Sequence, residues 1–453
     1  MTARRPLRPH PRNPRWFEDG TGRAVLLGGS HTWANFASDP GCGLDYDRYL
    51  DFLVAHGHNF FRGWIWDVPH SRQSSNGGPF DWTPQPWLRT GPGSATDGEP
   101  RFDLTAWDPA FFDRIRDRAI RAGDRGIYVA VMLFQGFAWQ FDRTDADGFP
   151  LDGRNNVNGV DSGVGRGAST LEDRDVLRVQ EEYVRRVVEA VGDLDNVLFE
   201  IANEAWPGST DWQYHHIRHL HELERGRPMQ HAVGMTFQFE GGTLAALENS
   251  PADWISPDSD PVTRETPPVA DGSKVVVYDT DHGFDWRSLR DAGAVGQRAW
   301  VWKCVTRGSH VLFMDPYLAR IEIDGEARNA PIGVDPREPY FGLEPDPLWE
   351  PLRQAIGDAV RMSGAVDLAA LTPHPELTST SWCLADPGQE YLVFAPDAQE
   401  GFTVDATASD YVVRWLDAAT GVWELGGALS SSGGPTSIAW SGVGDAVLHL
   451  RRS

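Results

Sequence analysis

The chain is poor in cysteine, in positive charge and in long apolar runs. Its three cysteines, Cys42, Cys304 and Cys383, are scattered and odd in number. They draw no disulfide framework and no CxxC metal spacing. Formal net charge is −24 over 453 residues. Phosphate backbones need a basic surface, so the balance excludes nucleic acid as a partner and argues against an anionic membrane face. No apolar stretch is long enough to span a bilayer. The first fifteen residues are rich in Arg and Pro without an apolar run. They do not read as a secretory leader, and a cytoplasmic location is the expectation. No GxGxxG or P-loop stands between a strand and a helix, so no nucleotide, and no cofactor of any kind, is expected. No fixed-period repeat is visible.

What the chain has is tryptophan, 19 in all, with 40% hydrophobic and 23% charged residues. That is a globular composition. The acidic balance leaves neutral ligands open, and sugars are neutral. Indole faces stack well on sugar rings, although Trp also fills cores. The length suits a (β/α)8 barrel of ordinary size with a smaller module.

Apolar patterning places eight strands between helices. The expected strands are Ala24–Gly29, Asn59–Trp66, Tyr128–Phe134, Asn196–Glu204, Gln230–Phe237, Trp254–Ser256, Lys274–Asp279 and His310–Met314. Helical spacing is clear at Asp45–Ala55, Ala110–Ala122, Asp173–Val191, Asp211–Glu224, Arg298–Gly308 and Asp346–Ser363, and weak after strands five and six. Alternation of this kind is the (β/α)8 TIM barrel pattern. Residues from Pro69 to Phe102 form a Gly-, Pro- and Trp-rich stretch too long for a plain connection, read as a lid or substrate wall. Composition changes near Leu371. Short strands at Ser379–Leu384, Tyr391–Phe394, Phe402–Asp405, Tyr411–Leu416, Ser437–Trp440 and Ala446–Leu450 indicate a small all-β sandwich. The expected division is a barrel over 1–367 and the sandwich over 368–453.

The stretch Asn196–Glu204 organises the rest. Val197, Leu198, Phe199 and Ile201 read as a strand covered on both faces, and Asn203 and Glu204 arrive where it should stop. The carboxyl ends of barrel strands are where such folds keep their chemistry. A helix-capping Glu is the bland alternative. After the seventh strand stand Asp279 and Asp281, which alternation puts on the face of Val275 and Val277. Arg62 lies on the second strand between aromatics, where a charge facing outward is disfavoured. Further candidates for the barrel mouth are His31, Trp33, Trp64, Trp66, Gln135, Gln238, His282, Trp302 and Asp315. Asp279, Asp281 and His282 could ligate a metal. His31 stands without the His-x-His of metal-dependent barrels, so no metal is expected.

The Asn203-Glu204 ending resembles the signature of the clan A glycoside hydrolases. The resemblance implies that Glu204 is the general acid/base, that Asn203 binds the hydroxyl beside the anomeric carbon, and that Arg62 holds the strand-seven nucleophile ionised. That nucleophile is normally Glu. Here Asp279 and Asp281 stand in its place, with Asp281 preferred because it lies further into the mouth. Gly29–Trp33, His58–Arg62, Asn196–Glu204 and Asp279–His282 together look like the apiosidase-related barrels of that clan. Those carry a C-terminal collagen-binding-like module, which Tyr391–Pro396 and Val413–Asp417 resemble. The resemblance implies a glycosidase acting on a small carbohydrate; a retaining enzyme is expected, and an exo-acting one because the long loops would close one end of the cleft. Two carboxyls further apart would make it inverting. A barrel that binds sugar without cleaving it is the competing class. A homo-oligomer is left open.

Overall fold

The computed structural model describes residues 5–453 apart from 33–34, 37–43, 72–79, 137–146, 164, 240, 259–264, 283–285, 316–319, 324–325 and 330–344. Trp33 therefore lies outside the described residues, as do Cys42 and Trp139.

Eight parallel strands make one sheet: β1 (Gly28–His31), β2 (Phe60–Trp64), β3 (Tyr128–Gln135), β4 (Val197–Asn203), β5 (Val233–Thr236), β6 (Trp254–Ser256), β7 (Val275–Asp279) and β8 (His310–Met314). Each pairs with the next in sequence from β2 to β8, and β8 pairs with β1. The β1–β2 seam is stitched by Asn59. Its backbone N–H donates to the Gly28 carbonyl at 2.9 Å, and its side chain bonds Gly28 N and the Leu26 carbonyl, each at 2.9 Å. The result is a (β/α)8 barrel.

The helices around it are α1 (Tyr46–Ala55), α2 (Pro109–Gly123), α3 (Arg174–Val191), α4 (Thr210–Glu224), α5 (Leu244–Glu248), α6 (Trp286–Asp291), α7 (Gly293–Thr306) and α8 (Glu350–Ser363). Local sequence sets several of their starts. Asp45, Asp108 and Asp173 cap α1, α2 and α3 by accepting first-turn N–H groups. The Asn196 side chain ties the start of β4 to the carbonyls of Ala119 and Ile127 at 2.9 and 3.0 Å. Val197, Phe199 and Ile201 face the helix layer. Leu27, Phe60, Ala130, Leu198, Val275 and Val277 fill the barrel near the amino ends of the strands, with Leu7 and Phe17 as a plug. Polar residues are therefore left to the carboxyl ends.

Three expectations need correction. Ala24–Val25 is not barrel strand; it pairs antiparallel with Phe17–Glu18, which pairs with Arg8–Pro9. The chain crosses from that plug into the barrel at Leu26–Leu27. The stretch from Pro69 to Phe102 is not an irregular wall throughout. Trp87–Ser94 pairs with Pro100–Trp107 as a bulged hairpin, and His70–Ser71 pairs with Phe80–Asp81. In the C-terminal part, an unexpected strand runs over Trp423–Ser431. It is the edge of the six-stranded antiparallel sheet, exposed along most of its length and containing Gly426 and Gly427, so it lacks the alternation of a half-buried strand.

That sheet also holds Thr372–Pro373, Cys383–Asp386, Glu390–Ala395, Ala446–Arg452 and Ser409–Asp417, and Phe402–Asp405 pairs separately with Pro435–Ile438. Leu384, Leu392, Phe394 and Val447 share one apolar cluster with Trp300, Trp302 and Cys304 of α7 and Leu352 and Ile356 of α8. Arg307 and Lys303 lie over the ring of Trp382. The all-β part thus packs on the outside of the last two helices, not over the strand ends. None of the described helices is long and apolar enough to cross a membrane.

Gly29 is a tight point of the seam. A Cβ there would stand 1.9 Å from the Phe60 carbonyl oxygen, a backbone atom that cannot step aside. Gly29→Ala is expected to cost on the order of 3 kcal/mol of unfolding free energy, read from urea denaturation. A loss below a few tenths would mean that the seam opens without strain.

Candidate active site

The carboxyl ends of β2, β4 and β7 converge on one guanidinium. Arg62 is buried, and every one of its five N–H donors has a carboxyl or amide oxygen to meet. Nε and Nη2 form a fork on Glu200 at 2.8 and 2.6 Å. Nη2 also donates to Asn203 Oδ1 at 2.7 Å. Nη1 reaches Asp279 Oδ2 at 3.0 Å and Asp281 Oδ2 at 2.7 Å. Burial alone would lower the Arg62 pKa. Glu200, then the two aspartates, outweigh it and hold the charge firmly in place.

Glu200 is the residue that sequence reasoning missed. It sits mid-strand in β4, fully buried, with Thr236 Oγ1 3.3 Å from Oε1. A signal was present. Position 200 shares the inward parity of Leu198, and an acidic side chain inside a buried run needs a cation across the barrel.

The two aspartates occupy different environments. The Asp279 side chain is fully buried, whereas that of Asp281 keeps 8% of its surface exposed. Asp279 accepts from the Asp281 backbone N–H at 3.0 Å and pairs with His31 Nε2 at 3.0–3.1 Å. The Trp64 indole, a donor only, meets His31 Nδ1 at 3.3 Å. Nδ1 must therefore accept, and the His31 proton sits on Nε2, facing Asp279. Burial would raise the Asp279 pKa, but His31 and then Arg62 hold it below the usual carboxylate range. Asp281 moves up, through burial first and with Asp279 adding to it, against the pull of Arg62.

Glu204 follows β4 immediately and is buried with φ at +46°. Trp66, just past β2, has φ at +56°. Left-handed backbone at side-chain-bearing residues costs about 1–2 kcal/mol each, and such strain gathers at functional sites. Gly136 allows the close approach beside Glu204. A Cβ there would fall 2.4 Å from the Asn203 carbonyl oxygen and 2.6 Å from Ala205 N. Gln135 lies level with Asn203 across the β3–β4 pair and accepts from its Nδ2 at 3.4 Å.

The remaining candidates divide. Trp64 and Trp66 are buried members of the main apolar cluster, their rings 5.8 Å apart, and Trp66 stacks on Trp82 at 4.2 Å. His282 is fully buried, with Nδ1 2.8 Å from Ser256 Oγ and Nε2 3.9 Å from Asp281 Oδ2. Three candidates are placed elsewhere. Trp302 is on α7, in the cluster beneath the all-β part. Asp315 takes a two-pronged bond from Arg353 of α8 at 2.6 and 2.7 Å, tying that helix to the end of β8. Gln238 donates to the start of α4, at Thr210 Oγ1 3.0 Å away and the Trp206 carbonyl 3.3 Å away.

Ligand atoms of His31, Asp279 and Asp281 lie within 4.8 Å of one another, the one cluster among the described residues with the makings of a cation site. It does not fit a metal as it stands. Arg62 Nη1 already bridges the two carboxylates, and the His31 nitrogen on that side carries the proton. A depression of about 880 Å³ between α2 and α3 is lined by Trp107, Phe112, Arg116 and Arg186 and by none of the strand-end residues. Arg116 there is paired with Asp193. The buried titratable groups that converge on Arg62 lie instead toward the carboxyl ends of the strands.

No family model matches the chain, and no curated protein matches it. Solved structures do. A glycoside hydrolase family 5 protein from Bacteroides vulgatus superposes with a TM-score of 0.61 at 12% identity, over 99% of this chain and 93% of that one. A second glycoside hydrolase gives 0.62 at 12% identity, over 99% and 97%. A family 5 mannosidase from Rhizomucor miehei gives 0.50 at 12% identity, over 80% and 99%. The fold is that of family 5 glycoside hydrolases. At these identities the likeness fixes the architecture and leaves the chemistry to the residues.

Two outcomes test the cluster. Glu200→Gln removes one partner of a buried pair and is expected to cost about 3–5 kcal/mol in denaturant melts; a change under 1 kcal/mol would deny Glu200 its place as the partner of Arg62. The second concerns Asp67, which accepts from Gln135 N at 2.8 Å and lines a small cavity behind residues 202–206. Burial pushes its pKa up to about 7 from 3.8. In the fold the carboxyl keeps its proton through a range where the unfolded chain has lost it, so stability falls as pH rises from about 4 to about 7. The urea midpoint of Asp67→Asn is expected to gain on the wild type across that window and run parallel to it above. Parallel curves throughout would show that Asp67 titrates normally.

Proposed function

We propose that the protein is an exo-acting, retaining glycoside hydrolase, related to the apiosidase-like barrels, whose substrate is a short oligosaccharide or plant-type glycoside. The observation that most supports this reading is the bridge made by Arg62. One guanidinium binds Asn203, the neighbour of Glu204, and Asp281 from the opposite side of the mouth. Acids distant in sequence are thereby drawn around one centre.

In this reading Asp281, the more exposed aspartate, attacks the anomeric carbon as the bond to the leaving oxygen breaks. Glu204 gives that oxygen its proton. A water then attacks the glycosyl-enzyme, Glu204 takes the water's proton, and Asp281 is released as carboxylate. Asn203 holds the hydroxyl next to the anomeric carbon. Asp279, saturated by His31, Arg62 and a backbone N–H, orients its neighbours. Carboxyls outnumber the guanidinium in the pocket, which favours the positive charge that develops on the sugar ring in the transition state. Trp64 and Trp66 form an aromatic wall. The all-β part, packed on α7 and α8, stiffens the barrel.

The test is turnover of a panel of aryl glycosides. Glu204→Gln and Asp281→Asn are each expected to lose about 10³-fold or more in kcat/KM. Azide should rescue the Asp281 variant as a glycosyl azide of inverted configuration. Because Asp281 must be ionised to attack, kcat/KM should rise with pH through a limb above the usual carboxylate range. Full activity in both variants ends the assignment, and Trp-dependent binding without turnover on any glycoside would make the protein a sugar binder. A product of inverted anomeric configuration would replace the nucleophile by a water.

A further inference from the structure

His282 carries a nitrogen that the fold leaves open. The ring is fully buried, yet Nε2 has no hydrogen-bond partner among the described residues. It lies 3.9 Å from Asp281 Oδ2, the oxygen that Arg62 also holds. The other nitrogen, Nδ1, is 2.8 Å from the Oγ of Ser256, the last residue of β6. The charged and titratable groups facing the ring are Asp281, Arg62, Asp279 and His31. Burial first, then the nearby guanidinium, keeps the imidazole uncharged. It therefore bears one proton, on one nitrogen or the other.

We propose that Ser256 fixes the tautomer of His282, so that Nε2–H stands as a donor beside Asp281 for an oxygen of the bound sugar. Of the two tautomers only one suits the surroundings. If Nδ1 carried the proton, it would donate to Ser256 Oγ, the hydroxyl proton would lack its acceptor, and the Nε2 lone pair would face a carboxylate oxygen. If Ser256 O–H donates to Nδ1, the hydroxyl proton has its acceptor, and Nε2 presents an N–H rather than a lone pair toward the Asp281 carboxylate. A buried donor left without a partner costs about 1–3 kcal/mol, a cost that a ligand oxygen removes. Ser256 is then a positioning residue that acts through His282. The inference rests on the glycosidase reading for the identity of the ligand, but not for the state of the ring.

Two measurements separate these. The 15N shifts of histidine-labelled full-length protein report which nitrogen is protonated, with His282 assigned by the signal that disappears in His282→Asn. The expected state in the wild type is Nε2–H, lost or mixed in Ser256→Ala and kept in Ser256→Thr, which retains the hydroxyl. Nδ1–H in the wild type overturns the proposal whatever any variant does, including one that fails to fold. The second measurement is kinetic. Ser256→Ala should lower kcat/KM about tenfold, the worth of one hydrogen bond, with recovery in Ser256→Thr. Across a series of monodeoxy glycosides, that tenfold loss should vanish for the one lacking the oxygen that Nε2–H reads. An equal loss on every deoxy substrate would reduce Ser256 to a packing role and overturn the recognition step. A wild type that cleaves no glycoside would refute the catalytic reading while the tautomer stands.

Discussion

One positive charge held inside the barrel is the constraint to which the rest of this structure answers. Arg62 cannot shed its proton, and its fork spends all its donors on four side chains from β4 and the end of β7. Desolvating such an ion is expensive, and its attraction to Glu200, Asp279 and Asp281 offsets that cost only while the geometry holds. What the pairing supplies is position more than net stability. A planar guanidinium sets directions for every oxygen it touches, so the strand ends are registered against one another by a single rigid group. His31 extends the order outward, with Trp64 deciding which of its nitrogens faces Asp279.

The scaffold accepts local strain to keep that arrangement. Glu204 and Trp66 sit in left-handed backbone just past their strands, and Gly136 gives up a side chain so that the chain beside Glu204 can close in. The stabilising surplus lies elsewhere: in the apolar layer at the amino ends of the strands, in the helix layer, and in the cluster that α7 and α8 share with the C-terminal sheet. Apolar packing at one end of the barrel and polar convergence at the other are two results of the same strand alternation.

Much of this was legible in residue order. β6 and β8 begin and end where apolar patterning put them, because each is a short run bounded by turn residues. Alternation along Val275, Val277 and Asp279 placed the first two on the inner wall. It failed where a residue's partner is remote. Asp315 at the end of β8 looks like a ligand group until Arg353, on a helix much later in the chain, is seen to take both its oxygens. Trp302 has the aromatic character of a sugar platform, but α7 buries it under the all-β part. Gln238 is held by the Thr210 hydroxyl at the start of α4. Glu200 is not singled out by sequence, because its partner Arg62 is 138 residues away.

The sequence by itself determined the class of fold and the strands that carry polar ends, because periodicity and side-chain type are local properties; the short set Arg62, Asn203, Glu204, Asp279 and Asp281 was singled out by strand-end position together with the resemblance to clan A glycoside hydrolases. Only the tertiary structure decided which of these groups touch, that Asp279 is sealed while Asp281 keeps an open edge, and that Glu200 and Ser256 belong with them. Those are relations between strands that pair in space, and their meeting depends on barrel closure and on one shared cation, neither of which any stretch of chain encodes alone.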